Sequence, residues 1–175
     1  RMIASRLSSQ AETRHWWCSQ QSGFRTNSCT EDQVLSLAQS ISDGFQHSPS
    51  LRTALALLDF SKAFDTVWRG RLFRCLLASG VPHHTTRWIA SFLRNRTARV
   101  KWGDSLSKSV ILRHGVPQGS VLSPLLFLFA INGVANAVPE YTRFSLYADD
   151  VAIWCQRRRK ESAVAQLELA AQSIA

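Results

Sequence analysis

Cysteine is sparse and scattered. Cys18, Cys29, Cys75 and Cys155 are the four in the chain, and no two form a C-x-x-C pair, so neither zinc-binding spacing nor a disulfide framework is present. A reducing, intracellular setting is the expectation, with nothing to separate nucleus from cytoplasm. The start of the chain lacks a charged segment followed by an apolar run and a small-residue cleavage site, so no secretion signal is read. Long apolar runs are missing too. The most apolar stretch, Val121 to Val138, is interrupted by Ser123, Pro124, Asn132, Gly133 and Asn136, which suits a buried core helix better than a bilayer span. No membrane partner is expected. Internal repeats and low-complexity linkers are absent, and Pro and Gly fall singly between periodic segments. Acidic residues are outnumbered, 12 against 21 Lys and Arg, for a formal net charge of +9. That balance favours polyanionic partners, nucleic acid first. With 175 residues and 45% hydrophobic composition, the chain can bury one good core but not two.

Thr30-Glu31-Asp32-Gln33 has the form of a capping box and predicts a helix from about Glu31 to Phe45. Thr53 to Leu58 is short, apolar and bounded by polar residues, as a strand buried on both faces would be, and it ends on Asp59. Val67 to Ser79 and His84 to Leu93 carry apolar residues at helical spacing, the first stopped by Gly80 and Pro82. Residues 99–102 and 107–112 read as a hairpin around Gly103-Asp104. Ser123 before Pro124 looks like a cap for an apolar helix reaching about Ala135. Arg143 to Trp154 reads as a second hairpin with Asp149-Asp150 at its tip, and helical character returns over residues 160–174. This mixture makes an α+β domain.

Asp59, Asp149 and Asp150 sit where an apolar core would not choose carboxylates, and such placement is costly unless cations neutralise them. Hard divalent ions fit. Mg²⁺ takes oxygen ligands and is commonly held by one or two carboxylates together with substrate phosphates. Two such ions about 3.5–4 Å apart serve in-line phosphoryl displacement. An ordinary polar turn would account for Asp149-Asp150 taken alone. The weight therefore rests on the segments around them.

In order, Gln21-Ser22-Gly23-Phe24-Arg25, then Leu58-Asp59-Phe60-Ser61-Lys62-Ala63-Phe64-Asp65, then the run from Gly115-Val116-Pro117-Gln118-Gly119-Ser120 to Phe127, then Tyr147-Ala148-Asp149-Asp150, resemble the ordered motifs of reverse transcriptases. The wording is most similar to LINE-type, non-LTR retrotransposon enzymes. The resemblance covers essentially the whole chain. It implies a right-hand polymerase fold without a thumb, fingers-like over roughly 1–32 and 67–119 and palm-like over roughly 33–66 and 120–175, as a single incomplete domain. It further implies RNA-directed DNA synthesis with two Mg²⁺ ions, an RNA template, a DNA primer and deoxynucleoside triphosphates. Asp59, Asp149 and Asp150 match the catalytic metal ligands. Lys62 and Ala63 would lie near the triphosphate, Phe64 matches the bulky residue crowding the sugar 2′ position, and Gln118 lies in the nucleotide region. Arg25 and Gly119 resemble template-contacting positions. Without the resemblance, Phe64 is plain core, and Gln118 and Arg25 are ordinary loop residues.

Asp65 matches no metal ligand in that family and is expected to pair with Arg69 four residues on. Arg87-Trp88, Arg94, Arg96, Arg99 and Lys101-Trp102 fit a surface that tracks a phosphate backbone, although Trp88 also fits the buried face of its helix. Arg157-Arg158-Arg159-Lys160 fits a solvated helix start or a nucleic-acid contact. The family's upstream fingers strands, primer grip and thumb are not found, and Arg1 to Leu7 resembles the stretch that follows those strands. The chain is thus expected to be a middle piece with little activity alone. A non-catalytic RNA-binding remnant is the competing expectation. A metal-dependent phosphatase or nuclease needs only the acids and leaves the Gln118 loop unexplained.

Overall fold

The computed structural model describes residues 2–174, so Arg1 at the head of the Arg1 to Leu7 segment lies outside the described residues. Helix α1 (Met2–Thr13) leads through an irregular stretch to α2 (Thr30–Gln46), then β1 (Arg52–Asp59), the single turn α3 (Ala63–Thr66), α4 (Arg69–Ala78) and α5 (His83–Leu93). A ribbon of two-residue strands follows: β2 (Thr97–Ala98), β3 (Lys101–Trp102), β4 (Ser105–Leu106) and β5 (Val110–Ile111). Helix α6 (Ser123–Ile131) continues as a 3₁₀ segment over Asn132–Ala137, and β6 (Arg143–Tyr147), β7 (Asp150–Arg157) and α7 (Lys160–Ile174) complete the chain. The domain is α+β: its strands pair antiparallel and its helices pack beside that sheet.

The sheet is antiparallel in the order β1-β7-β6. Side chains alternate across a strand, so its two faces follow from the register. Ala54, Ala56 and Leu58 share one face with Val151, Ile153, Cys155 and Leu146, and α7 covers it with Leu167 and Ala170. On the other face Trp154 and Arg143 both donate to the Ser40 hydroxyl of α2, at 2.9 and 2.8 Å. Helix α2 lies against β1 and β6 on this face without covering β1 completely. Leu55 and Leu57 are 42% and 75% exposed, so β1 is an edge strand covered on one face and not the doubly buried strand expected from its composition. A run of apolar residues records what a strand could bury, not how much the neighbouring helices reach.

Helix α6 is apolar all round, and such a helix must be buried. Leu126 and Leu128 are fully buried, and α1, α4 and α6 pack together around Leu7, Leu72 and Leu76. Each such leucine contributes roughly 1.5–3 kcal/mol by its burial. Phe60 and Val134 touch both this helical core and the core under the sheet.

Several local expectations are corrected. The cap of α2 is Cys29, one residue before Thr30: the Asp32 carboxylate accepts from the Cys29 amide at 3.2 Å. Gln33 is thereby freed to bond with Ser22 and Ser145. Ser123 does not cap α6; its hydroxyl donates to the Pro117 carbonyl at 2.6 Å, and the regular α-helix ends at Ile131. The ribbon is one hairpin broken by a bulge: Ala98 pairs Val110 and Lys101 pairs Leu106, so Arg99 and Val100 face Ser107, Lys108 and Ser109. Arg69 is not the partner of Asp65. The helical path is interrupted at Val67 and Trp68 between α3 and α4, so i,i+4 spacing does not hold, and Arg69 instead donates to the carbonyls of Leu93, His114 and Gly115 at 2.7–2.9 Å. Burial lowers its pKa below the usual arginine value, with the nearby Arg96 charge adding to the effect. Trp88 stacks on Phe92 but remains half exposed.

Candidate active site

Register places the acids. Asp59, the last residue of β1, is directly opposite Asp150, the first of β7, and Asp150 in turn pairs Tyr147 across the hairpin. Ala148 and Asp149 form the two-residue turn between them. Asp59 and Asp150 are exposed and Asp149 is half-buried. Like charges facing each other across antiparallel strands repel. Among the described residues the one ion pair is Arg25 with Glu12, so no basic side chain neutralises these carboxylates. Oxygen donors of this kind fit a hard divalent cation that completes its shell with water and substrate. No three His, Cys, Asp or Glu side chains among the described residues converge on one point. The arrangement is therefore a facing pair, Asp59 and Asp150, with Asp149 on the adjoining turn. A cavity of about 410 Å³ opens beside Asp59 and Asp150, walled by Leu57, Tyr147, Gln33 and Leu37.

Phe64, Gln118 and Gly119 line a second cavity of about 590 Å³ together with Phe24, Ser120 and Val121. Phe64 stacks on Phe127, ring centroids 4.8 Å apart and 15° from parallel, while Phe24 meets it edge to face at 6.1 Å. Gly115 explains how residues so far apart in sequence share a wall. Its amide donates to the Val67 carbonyl and that of Val116 to the Phe64 carbonyl, both at 2.8 Å. At φ 79°, a Cβ on Gly115 would lie 2.7 Å from the Asp65 carbonyl oxygen. Only glycine has both the conformation and the clearance for this approach. Lys62, also in the left-handed region at φ 53°, opens α3 with its side chain exposed, and Ala63 is buried behind it.

Arg25 is placed differently from the other predicted residues. Its guanidinium is bidentate on Glu12 at 3.1 and 2.8 Å and donates to the Gln21 carbonyl at 2.9 Å. Gln21 itself had no assigned role from sequence. Its side chain is 2% exposed and bonds to the Ala148 peptide, 127 positions on. A glutamine before Gly-Phe-Arg is visible in the sequence, but nothing local names so distant a partner.

The family model described as reverse transcriptase (RNA-dependent DNA polymerase) matches residues 1–174. A probable RNA-directed DNA polymerase from transposon BS of Drosophila melanogaster is 32% identical over 160 residues, 87% of this chain and 17% of that protein. Its counterpart from transposon X-element of the same fly is 30% identical over 166 residues, 93% of this chain and 18% of that protein. The RNA-directed DNA polymerase from mobile element jockey is 33% identical over 105 residues, 56% of this chain and 11% of that protein. The chain thus spans under a fifth of the length of these relatives. No helix among the described residues is long and apolar enough to cross a membrane. With its ordered motifs and its match over nearly every residue, the chain belongs to the reverse transcriptase (RNA-dependent DNA polymerase) family.

Proposed function

We propose that this chain carries the nucleotidyl-transfer centre of a non-LTR element's RNA-directed DNA polymerase, acting on an RNA template, a DNA primer and deoxynucleoside triphosphates. The observation that carries it is Asp59 set opposite Asp150 at the end of a sheet, with Asp149 beside them on the turn and no basic partner. In this reading the sheet and α7 are palm-like, and the β2–β5 ribbon with α5 is fingers-like. Asp59, Asp149 and Asp150 would hold Mg²⁺. Two such ions, when bound, activate an attacking hydroxyl and stabilise the leaving group of an in-line displacement. The chain's own part is to position and to select. Phe64 and Gln118 bound the cavity for the incoming nucleotide, Phe64 as the wall against its sugar, Gln118 and Gly119 as the loop that the base and template approach. Exposed Lys62 lends positive charge near the triphosphate, and the Ala63 amide a donor.

Asp149→Asn tests the assignment, made in a longer polypeptide of the element that contains this chain and extends primers. An amide is a poor substitute for an anionic ligand, so extension should fall by roughly 10³-fold or more at saturating Mg²⁺ with the thermal midpoint unchanged. Extension within a few-fold of the parent would remove Asp149 from the centre. A parent that binds RNA with no extension under any divalent ion would return the chain to the non-catalytic RNA-binding reading.

A further inference from the structure

The turn that carries the acids does not hold its own shape. Ala148, the residue before Asp149, has φ 56°, a left-handed conformation that a residue with a Cβ adopts only where its surroundings impose it. The surroundings here come from the other end of the chain. The Ala148 amide donates to Gln21 Oε1 at 3.1 Å, and Gln21 Nε2 donates back to the Ala148 carbonyl at 3.4 Å, so one buried side-chain amide brackets one residue through the peptide groups on both its sides. Oε1 also accepts from the Gly23 amide at 2.7 Å, which fixes the direction of the Gln21 amide. The backbone on either side docks as a short parallel bridge on the edge of β6. Leu146 N–H donates to the Gln20 carbonyl and Ser22 N–H to the Leu146 carbonyl, both at 2.9 Å. Gly23 lies so close that a Cβ would fall on the Ala148 backbone. Behind Gln21 stands Arg25, which donates to the Gln21 carbonyl and is itself locked bidentate on Glu12 of α1.

We infer that Gln21 is a positioning residue for the acidic turn, and that Arg25, held by Glu12, is the brace that fixes Gln21. Gln21 lines neither of the two cavities of the candidate site. It sets the Ala148 peptide in the left-handed region, and this aims Asp149 and starts β7 with Asp150 facing Asp59. The inference deepens the proposed function and rests on it for the role of the carboxylates. The bracket itself stands on geometry alone. It also gives Arg25 a job that needs no template contact.

Gln21→Met keeps an unbranched side chain of similar length and removes all three side-chain hydrogen bonds. Amide exchange over residues 145–151 of the chain, measured against exchange over α6, reads the bracket. Mn²⁺ affinity by electron paramagnetic resonance reads the consequence. Exchange at Ala148 and Asp149 should rise about tenfold or more with α6 unchanged, and Mn²⁺ affinity should fall about tenfold, as it does when groups supporting metal ligands are lost. Arg25→Lys, which keeps the charge but not the two-pronged grip, should move both readouts in the same direction by a few-fold, and it decides the matter where Gln21→Met does not fold. Unchanged exchange at the turn, or exchange that rises equally in α6, would overturn the positioning role. A parent whose Mn²⁺ binding is indifferent to Asp149→Asn would overturn the metal reading instead, with the exchange result still deciding the bracket.

Discussion

Phenylalanine at position 64 packs as core on one side and as a wall on the other. Its ring is fixed from behind by Phe127 and from the edge by Phe24, and it faces a cavity shared with Gln118. A ring held on two sides cannot swing aside to admit one more oxygen, and steric overlap of that kind rejects a hydroxyl that an ordinary apolar pocket tolerates. In an active polypeptide containing this chain, Phe64→Val should therefore raise use of ribonucleotides relative to deoxynucleotides by roughly 10²-fold, with deoxynucleotide use changed only a few-fold. The ratio of the two kcat/KM values checks it, and an unchanged ratio would leave Phe64 as core. In the sequence the acids stand out because carboxylates in apolar runs need explaining, whereas Gln118 is an ordinary loop residue until the ordered resemblance singles it out. Gln21 does not stand out, because its meaning lies in a partner 127 residues away. The inward turn of Arg25 was hidden too, since Glu12 belongs to a helix whose packing no local pattern discloses.

Among the elements, those with strong periodicity were read to within a residue or two: α2, α5 and α7 begin and end close to where their patterns start and stop. Elements whose form depends on neighbours were not. The open face of β1 follows from incomplete cover by α2, which contacts the strand yet leaves Leu55 and Leu57 exposed, and the bulge in the ribbon follows from a register that pattern does not specify. The ribbon itself is almost wholly solvated. Trp102 is 86% exposed beside the Gly103-Asp104 turn, and Arg99, Lys101 and Lys108 stand on the same two arms. Basic groups attract the phosphate backbone and an exposed indole offers a stacking surface worth about 1–3 kcal/mol per base. Trp102→Ala should accordingly weaken single-stranded RNA binding by roughly tenfold while leaving the thermal midpoint in place, since so exposed a ring contributes little to the fold. Fluorescence anisotropy beside a melting curve separates the two effects; equal affinity for both proteins would make the ribbon a bystander.

At the scale of the whole molecule, attraction and catalysis come apart. A net charge of +9 favours polyanionic ligands, and the affinity for template-primer expected from it under the proposed function should fall roughly 10²-fold or more between 50 and 200 mM salt. Catalysis asks for a primer end, a triphosphate and the acids in one geometry, where a misplacement of about 1 Å costs on the order of 10²-fold. Residues 1–175 alone are thus expected to bind template-primer in a salt-dependent way and to extend it little. A gel-shift series in salt beside a primer-extension assay tests both halves, and robust extension abolished by Asp149→Asn would show that these residues suffice. The open edge of β1 bears on the same molecule in another way. An edge strand with an apolar outer face is a template for intermolecular pairing, and β1 presents Leu55 and Leu57 near exposed Val34 and Phe45. Arg52 and Asp59, exposed at its two ends, are the charges on that strand that oppose such pairing. If Asp59 also holds metal as proposed, it serves two masters, chemistry and solubility, and its loss should cost both extension and resistance to aggregation.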